Sequence, residues 1–288
     1  MGVNYCQRAK VAAGPQRAQP WPGVARLTAM RFLILLVGVS GLLARPAAGQ
    51  VARVRDVNRI GWYVYEGDHR LGRRWELHTE YQWRRVGFLR DWQQSLTRLG
   101  VAHQVAPRVK LGAGYTSLVT HVYGDYPTAA TGVPFPEHRL YEDVQLSDTL
   151  GALVLGHRVR LEQRWQGQLA EGGGRAVQAW EYQNRIRYQF SSTWPLQGLR
   201  LDDREWFLTA SDEVFLSFGR RVGSNVFNQN RIAGGLGYRF SSRFRLVLLY
   251  LNQVTQHAAP EPRTGLPVFE FNQGFRFNVN YNLPLVKE

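Results

Sequence analysis

HRVRLEQRW, residues 157–165, places Arg158, Arg160, Glu162 and Arg164 at every second position, with Val159, Leu161 and Trp165 at the opposite parity. At helical periodicity these charges would scatter around the axis, whereas in an extended strand successive side chains leave opposite faces. The stretch is therefore expected to be a strand with one charged and one apolar face. Its charges are tolerable only on the side of a polar interior, because an arginine facing lipid at mid-bilayer costs about 2–4 kcal/mol.

The same period of two runs through the rest of the chain. In RWELHTEYQWR, Trp75, Leu77, Thr79, Tyr81 and Trp83 alternate with Glu76, His78, Glu80, Gln82 and Arg84. In FEFNQGFRFNVNYNL, Phe269, Phe271, Phe275, Phe277, Val279, Tyr281 and Leu283 alternate with polar residues and glycine. Similar segments are expected near residues 58–66, 92–105, 108–120, 137–147, 153–166, 177–190, 205–218, 227–240 and 243–253, which brings the count to eleven. Globular strands average about 5–6 residues, and these are two to three times as long. An antiparallel, up-and-down transmembrane β-barrel accounts for that length, with an apolar face in lipid and a polar face in the lumen.

Alternation alone does not separate inside from outside, so a soluble barrel or sandwich is the competing architecture. Aromatic spacing favours the membrane. Trp75 and Trp83 are about 26 Å apart along a strand, or about 20 Å along the membrane normal at a 40° tilt, which approximates two aromatic girdles to which Trp165 and Trp180 also belong. Polar faces rich in arginine, asparagine and glutamine, with Lys110 and Lys287 the only lysines after residue 50, are unlike the Lys/Glu exterior of soluble domains. Connections near 106–107 and 241–242 are short and those near 121–136, 167–176 and 254–267 long, as in barrels with short periplasmic turns and longer outer loops. Bacterial single-chain barrels have even strand counts. Residues 51–56 are therefore expected to add a short first strand, giving twelve, with ten the alternative and both termini periplasmic.

The chain has 288 residues, 44% hydrophobic and 20% charged, enough for one sizeable barrel domain over residues 50–288. Met30 to Gln50 reads as a secretory signal: Arg31, an apolar run from Phe32 to Leu43, then small residues. Residues 1–29 are expected to be an over-extended start or an N-terminal extension. The leader holds six of the 36 basic groups and no acid, so the remainder carries 30 minus 22, or +8. Its arginines recur at strand spacing instead of clustering as a nucleic-acid patch would. The single cysteine, Cys6, lies in the leader, which leaves no disulfide or thiolate site beyond it.

PEHRLYEDVQL (136–146) followed by HRVRLEQRW, together with RWELHTEYQWR and the upstream GWYVY, resembles the Bacteroidota outer-membrane family known as domain of unknown function 2490. The resemblance spans most of residues 58–283, and its most distinctive part is the His-Arg-x-Arg-x-Glu-x-Arg-Trp run. It implies a β-barrel-like outer-membrane protein and brings no catalytic residues. One departure is the ending NLPLVKE, where barrels often close on an aromatic residue.

If the charged face of 153–166 lines the lumen, its neighbours supply Arg139, Tyr141 and Asp143 on one side and Glu181, Gln183, Arg185 and Arg187 on the other. Rows of this kind can pair arginine forks with carboxylates and hold the wall together, or attract small anionic solutes. The expected function is a structural barrel or narrow passive pore in the outer membrane, in contact with its lipid. An outer-membrane lipid-modifying enzyme and a soluble periplasmic ligand-binding barrel are the alternatives. No His-Glu-x-x-His or Gly-x-Ser-x-Gly pattern occurs, so no catalytic, cofactor or metal residue is assigned and oligomeric state is left open.

Overall fold

The computed structural model describes residues 52–286 except 130, 171, 173, 221 and 223–225. Residues 30–50, expected to be a signal, and the extension expected before them fall outside the described residues. Eleven strands follow one another: β1 (Val54–Arg70), β2 (Trp75–Val86), β3 (Asp91–Ala106), β4 (Val109–Thr120), β5 (Phe135–Leu150), β6 (Leu153–Leu169), β7 (Val177–Pro195), β8 (Glu205–Phe218), β9 (Phe227–Ser241), β10 (Phe244–Gln256) and β11 (Val268–Tyr281). Each pairs antiparallel with its sequence neighbours, and β1 pairs with β11 to close a barrel.

The strand count corrects the expectation of twelve, and equally the alternative of ten. Among the described residues no separate strand precedes residue 58; Val54 to Asp56 instead begins a single 17-residue β1. An up-and-down barrel with an odd number of strands must close on a parallel pair, and β1 and β11 run parallel from Val54↔Val268 to Glu66↔Asn280. The start of β1 therefore lies at the opposite end of the barrel from the end of β11. Both ends of the chain were expected on one side; the missing turn between residues 56 and 58 is what separates them.

Connections at the end where β1 begins include the long 121–134 and 257–267 segments, while 107–108, 151–152 and 242–243 at the other end are two-residue turns. Two connections break the rule. The 87–90 turn is tight although it lies at the long-loop end, and the 196–204 segment is long although it lies at the short-turn end. The tight turn has a use: Phe88, at φ 64°, stacks on Phe275 of β11 with ring centroids 5.3 Å apart, so the turn folds over the outside of the parallel seam. At the same height, a Cβ on Gly274 would lie 1.8 Å from the Ile60 carbonyl oxygen. Gly274→Val is accordingly expected to force the seam apart, at a cost of at least about 1–3 kcal/mol. A urea midpoint for the folded barrel equal to that of the unsubstituted chain would show that the seam tolerates a side chain.

Side chains alternate as period two requires. Leu99, Leu248 and Tyr250 face outward with 54–60% of their surface exposed, as do many other leucines, valines and aromatics. Glu142 and Asp212 interrupt this surface, each bonded to an amide on the next strand: Glu142 accepts from Gln163 and Asp212 from Asn230. Inward-facing positions are of two kinds. Many are charged or polar, but Ile60, Trp62 and Val64 of β1 meet Phe207 of β8, Ala233 of β9 and Val247, Leu249 and Leu251 of β10 in an apolar cluster.

Candidate functional site

The lumen holds a cavity of about 1010 Å³. Its wall from β5 to β9 is lined by ion pairs set by register. Arg160 faces Asp143 and Arg185 faces Glu162 across adjacent strands; Arg160 donates two bonds to Asp143 Oδ2, and Arg185 donates two to Glu162 Oε2. Arg187 reaches Glu162 Oε1 at 2.6 Å with one terminal nitrogen and Glu213 Oε1 at 2.5 Å with the other. Arg158 and Arg231 converge on Glu213 at 3.3 and 3.4 Å, while Arg139 and Arg164 share Glu137 at 2.6 Å. Seven arginines thus surround four carboxylates, a difference of +3. Charge-assisted, partly bidentate bonds of this kind fix the geometry of both partners.

The other residues singled out in the sequence take different places. Tyr141 is buried beneath Arg160, whose guanidinium carbon lies 4.0 Å from the ring centroid. It occupies space left by two glycines: a Cβ on Gly100 or Gly114 would fall 2.2 or 2.6 Å from its hydroxyl. Gln183 accepts from Arg164 at 2.8 Å, and Glu181 accepts from Gln168 near the rim, apart from the arginines. Trp75, Trp83, Trp165 and Trp180 all point outward. Trp83 packs with Tyr63 and Trp92, Trp165 with Tyr182 and Trp180 with His138, all toward the long-loop end, while Trp75 lies against His103 toward the other.

Sequence reasoning missed the constriction. Trp62 is wholly buried inside the barrel, with Arg84 of β2 and Arg231 of β9 over its ring at 3.9 and 4.7 Å. β2 is next to β1, but β9 is three strands away around the wall, so these contacts cross the lumen. Trp62 Nε1 donates to Gln93 Oε1 at 2.7 Å. Gln93 points inward because the β2–β3 register shifts at Arg84/Arg85, a bulge that re-aims one side chain. A signal for the apolar part did exist: LVLLYL in β10 is apolar at both parities, the mark of a strand with two apolar faces.

The long-loop mouth is partly covered by the 121–134 connection. Asp125 and Tyr126 donate their backbone N–H groups to the Asp56 carboxylate at 3.4 and 3.3 Å. Gly124 turns there at φ 76°, and a Cβ on it would lie 2.4 Å from Asp56 Oδ2. The Tyr123 hydroxyl donates to Glu270 at 2.9 Å. Burial, and after it the Glu270 charge, raises this phenol well above its ordinary range, which keeps the donor protonated.

Two arrangements could suggest other chemistry. Glu66, His78 and Glu80 offer three ligand atoms within 4.8 Å of one another and could hold a metal ion. The same groups are already engaged: His78 bonds Asp68 at 2.7 Å, Arg98 and Gln82 donate to Glu80, and Asn280 donates to Glu66. His69 Nε2 lies 2.7 Å from the Thr79 hydroxyl, as a base lies beside a nucleophile. However, the backbone N–H of Leu283 donates to His69 Nδ1 at 3.0 Å. In the neutral ring Nε2 then carries the proton and donates to Thr79, the reverse of what a general base needs.

The profile of the family described as "Protein of unknown function (DUF2490)" matches residues 60–264. The chain belongs to this family. The matched span runs from β1 to the loop before β11 and so takes in the ionic wall and Trp62. No curated protein and no solved structure matches the chain.

Proposed function

We propose that this DUF2490 chain is a transmembrane barrel of the bacterial outer membrane, acting as a narrow passive pore whose arginine-rich lumen favours small anions. The observation that carries the reading is the inversion of the barrel: ion pairs buried within, and leucines, valines and aromatics exposed on the outer face. Soluble monomers rarely expose contiguous apolar patches beyond a few hundred Å², whereas a bilayer requires that surface and a closed barrel leaves no unpaired strand edge within it. Outward Glu142 and Asp212 are compatible with this placement because each has an amide partner and lipid-facing carboxylates cost less than lysine or arginine. Seven arginines to four carboxylates give the lumen its preference for anions, and Trp62 makes it narrow.

Accessibility tests the orientation. In reconstituted vesicles, fluorophores on cysteines placed at Val159 and Leu161 should be quenched by spin-labelled lipid. Labels at Gln189 and Ser191, which line the cavity, should escape that quencher and respond to iodide. If positions 159 and 161 show no lipid quenching, the apolar face is not in a bilayer and the proposal fails. For the pore, a salt gradient across a planar bilayer should give a reversal potential of the sign set by anions; a cation-selective potential would refute the role given to the arginines.

A further inference from the structure

Buried polar atoms without a partner occur at several places among the described residues, and three of them gather on one patch of the lumen wall. Where β8 ends and β9 begins, near the long-loop mouth, Ser217 Oγ, Gln229 Nε2 and Arg231 Nε are buried and have no partner among the described residues. Ser217 is 1% and Gln229 6% exposed, so both are well beyond nine-tenths buried, and all three residues line the cavity. Each unpartnered atom can donate. Buried donors left unmade cost about 1–3 kcal/mol apiece, which makes three along one patch of wall a feature that calls for an acceptor.

Register puts them together. Ser217 faces Arg185 across β7–β8, Gln229 faces Phe215 across β8–β9, and Arg231 faces Glu213 two positions further on. Ser217 and Gln229 are therefore diagonal neighbours on the inner face, within about 7–8 Å. A register shift between Phe215 and Leu216 adds Asn228, whose side-chain oxygen accepts from Arg185 at 3.0 Å. Asn228 thereby holds the Arg185 guanidinium beside Ser217. Phe215 forms an apolar floor, with Arg231 and Arg187 both within 5.2 Å of its ring centroid.

We propose that this patch binds an oxyanion, the phosphoryl or carboxylate group of a small solute entering from the long-loop end, with Ser217, Gln229 and Arg231 as donors and Arg185 as a supporting charge. The inference rests on the reading of the lumen as a path for anions and names the group it would hold. The ligand must be anionic because every spare atom can donate, arginines border the patch, and the nearest carboxylates, Glu162 and Glu213, are already taken by arginines. Shape and position suit a small acid better than a polymer, since Trp62 narrows the lumen beside Arg231.

The test is isothermal titration of the full-length exported chain in detergent with inorganic phosphate and, separately, citrate, both in a chloride background. Saturable binding of either is expected, and the tighter one identifies the group. Gln229→Leu and Ser217→Ala, which keep volume nearly constant and leave the ion pairs intact, should each weaken it about tenfold, the equivalent of about 1.4 kcal/mol. Arg108→Gln, at a turn on the far end, should not change it. Absence of saturable binding, or binding as tight in both variants as in the unsubstituted chain, overturns the site. Failure of the pore reading would look different: no anion-selective conductance in a bilayer while phosphate or citrate still binds in detergent.

Discussion

Glu213→Leu is expected to lower the stability of the barrel by about 3–5 kcal/mol, the range for removing one partner of a buried ion pair. Glu213 is 3% exposed and is the common acceptor of Arg158, Arg187 and Arg231. Leucine fills much of the volume but leaves three guanidinium groups facing one another, with Arg187 alone retaining a carboxylate, Glu162. Glu213→Gln preserves an acceptor oxygen and should cost less. Urea unfolding of the detergent-solubilised chain measures both. A loss below about 1 kcal/mol for the leucine variant would mean that the network behaves as solvated surface pairs do, and that lumen water rather than Glu213 neutralises these arginines.

Trp62→Ala is expected to act on stability and on conduction together. Removing a fully buried tryptophan costs about 3–5 kcal/mol, and here the ring also separates Arg84 from Arg231 and bonds Gln93. The variant should be less stable yet conduct more per channel, because the obstruction between β1 and β9 is gone. Trp180→Ala, a change of the same size on the outer face, should leave conductance as it was. A Trp62→Ala barrel with unaltered single-channel conductance would show that the narrowest point lies elsewhere, with the 121–134 connection at the mouth the next place to look.

Much of this architecture is legible in the sequence because a strand writes its two faces into alternate positions. HRVRLEQRW announces Arg158, Arg160, Glu162 and Arg164 on one side, and all four are inside the barrel. Its neighbours follow from antiparallel order, which is why Arg139, Tyr141 and Asp143 on one flank and Arg185 and Arg187 on the other join them. Aromatic residues at the ends of apolar faces are readable for the same reason.

Other features depend on contacts that period two does not encode. Strand number went astray at residues 51–58, where nothing local distinguishes a turn from continued strand; the choice is made by thirteen parallel pairings with β11, more than 200 residues away. Which arginine shares which carboxylate is likewise fixed by register, since Glu213 on β8 gathers partners from β6, β7 and β9. Trp62 is the sharpest case. Its parity places it on the inner face, where the sequence led one to expect polar residues, and only closure of the barrel brings Arg231 over its ring. The sequence by itself determined the strands, their two faces and the sign of the lumen's charge, because these follow from local alternation. Strand number, the parallel seam, the constriction and the unpartnered donors near Gln229 were decided by the tertiary structure, because each is a relation between residues that only the closed wall makes neighbours.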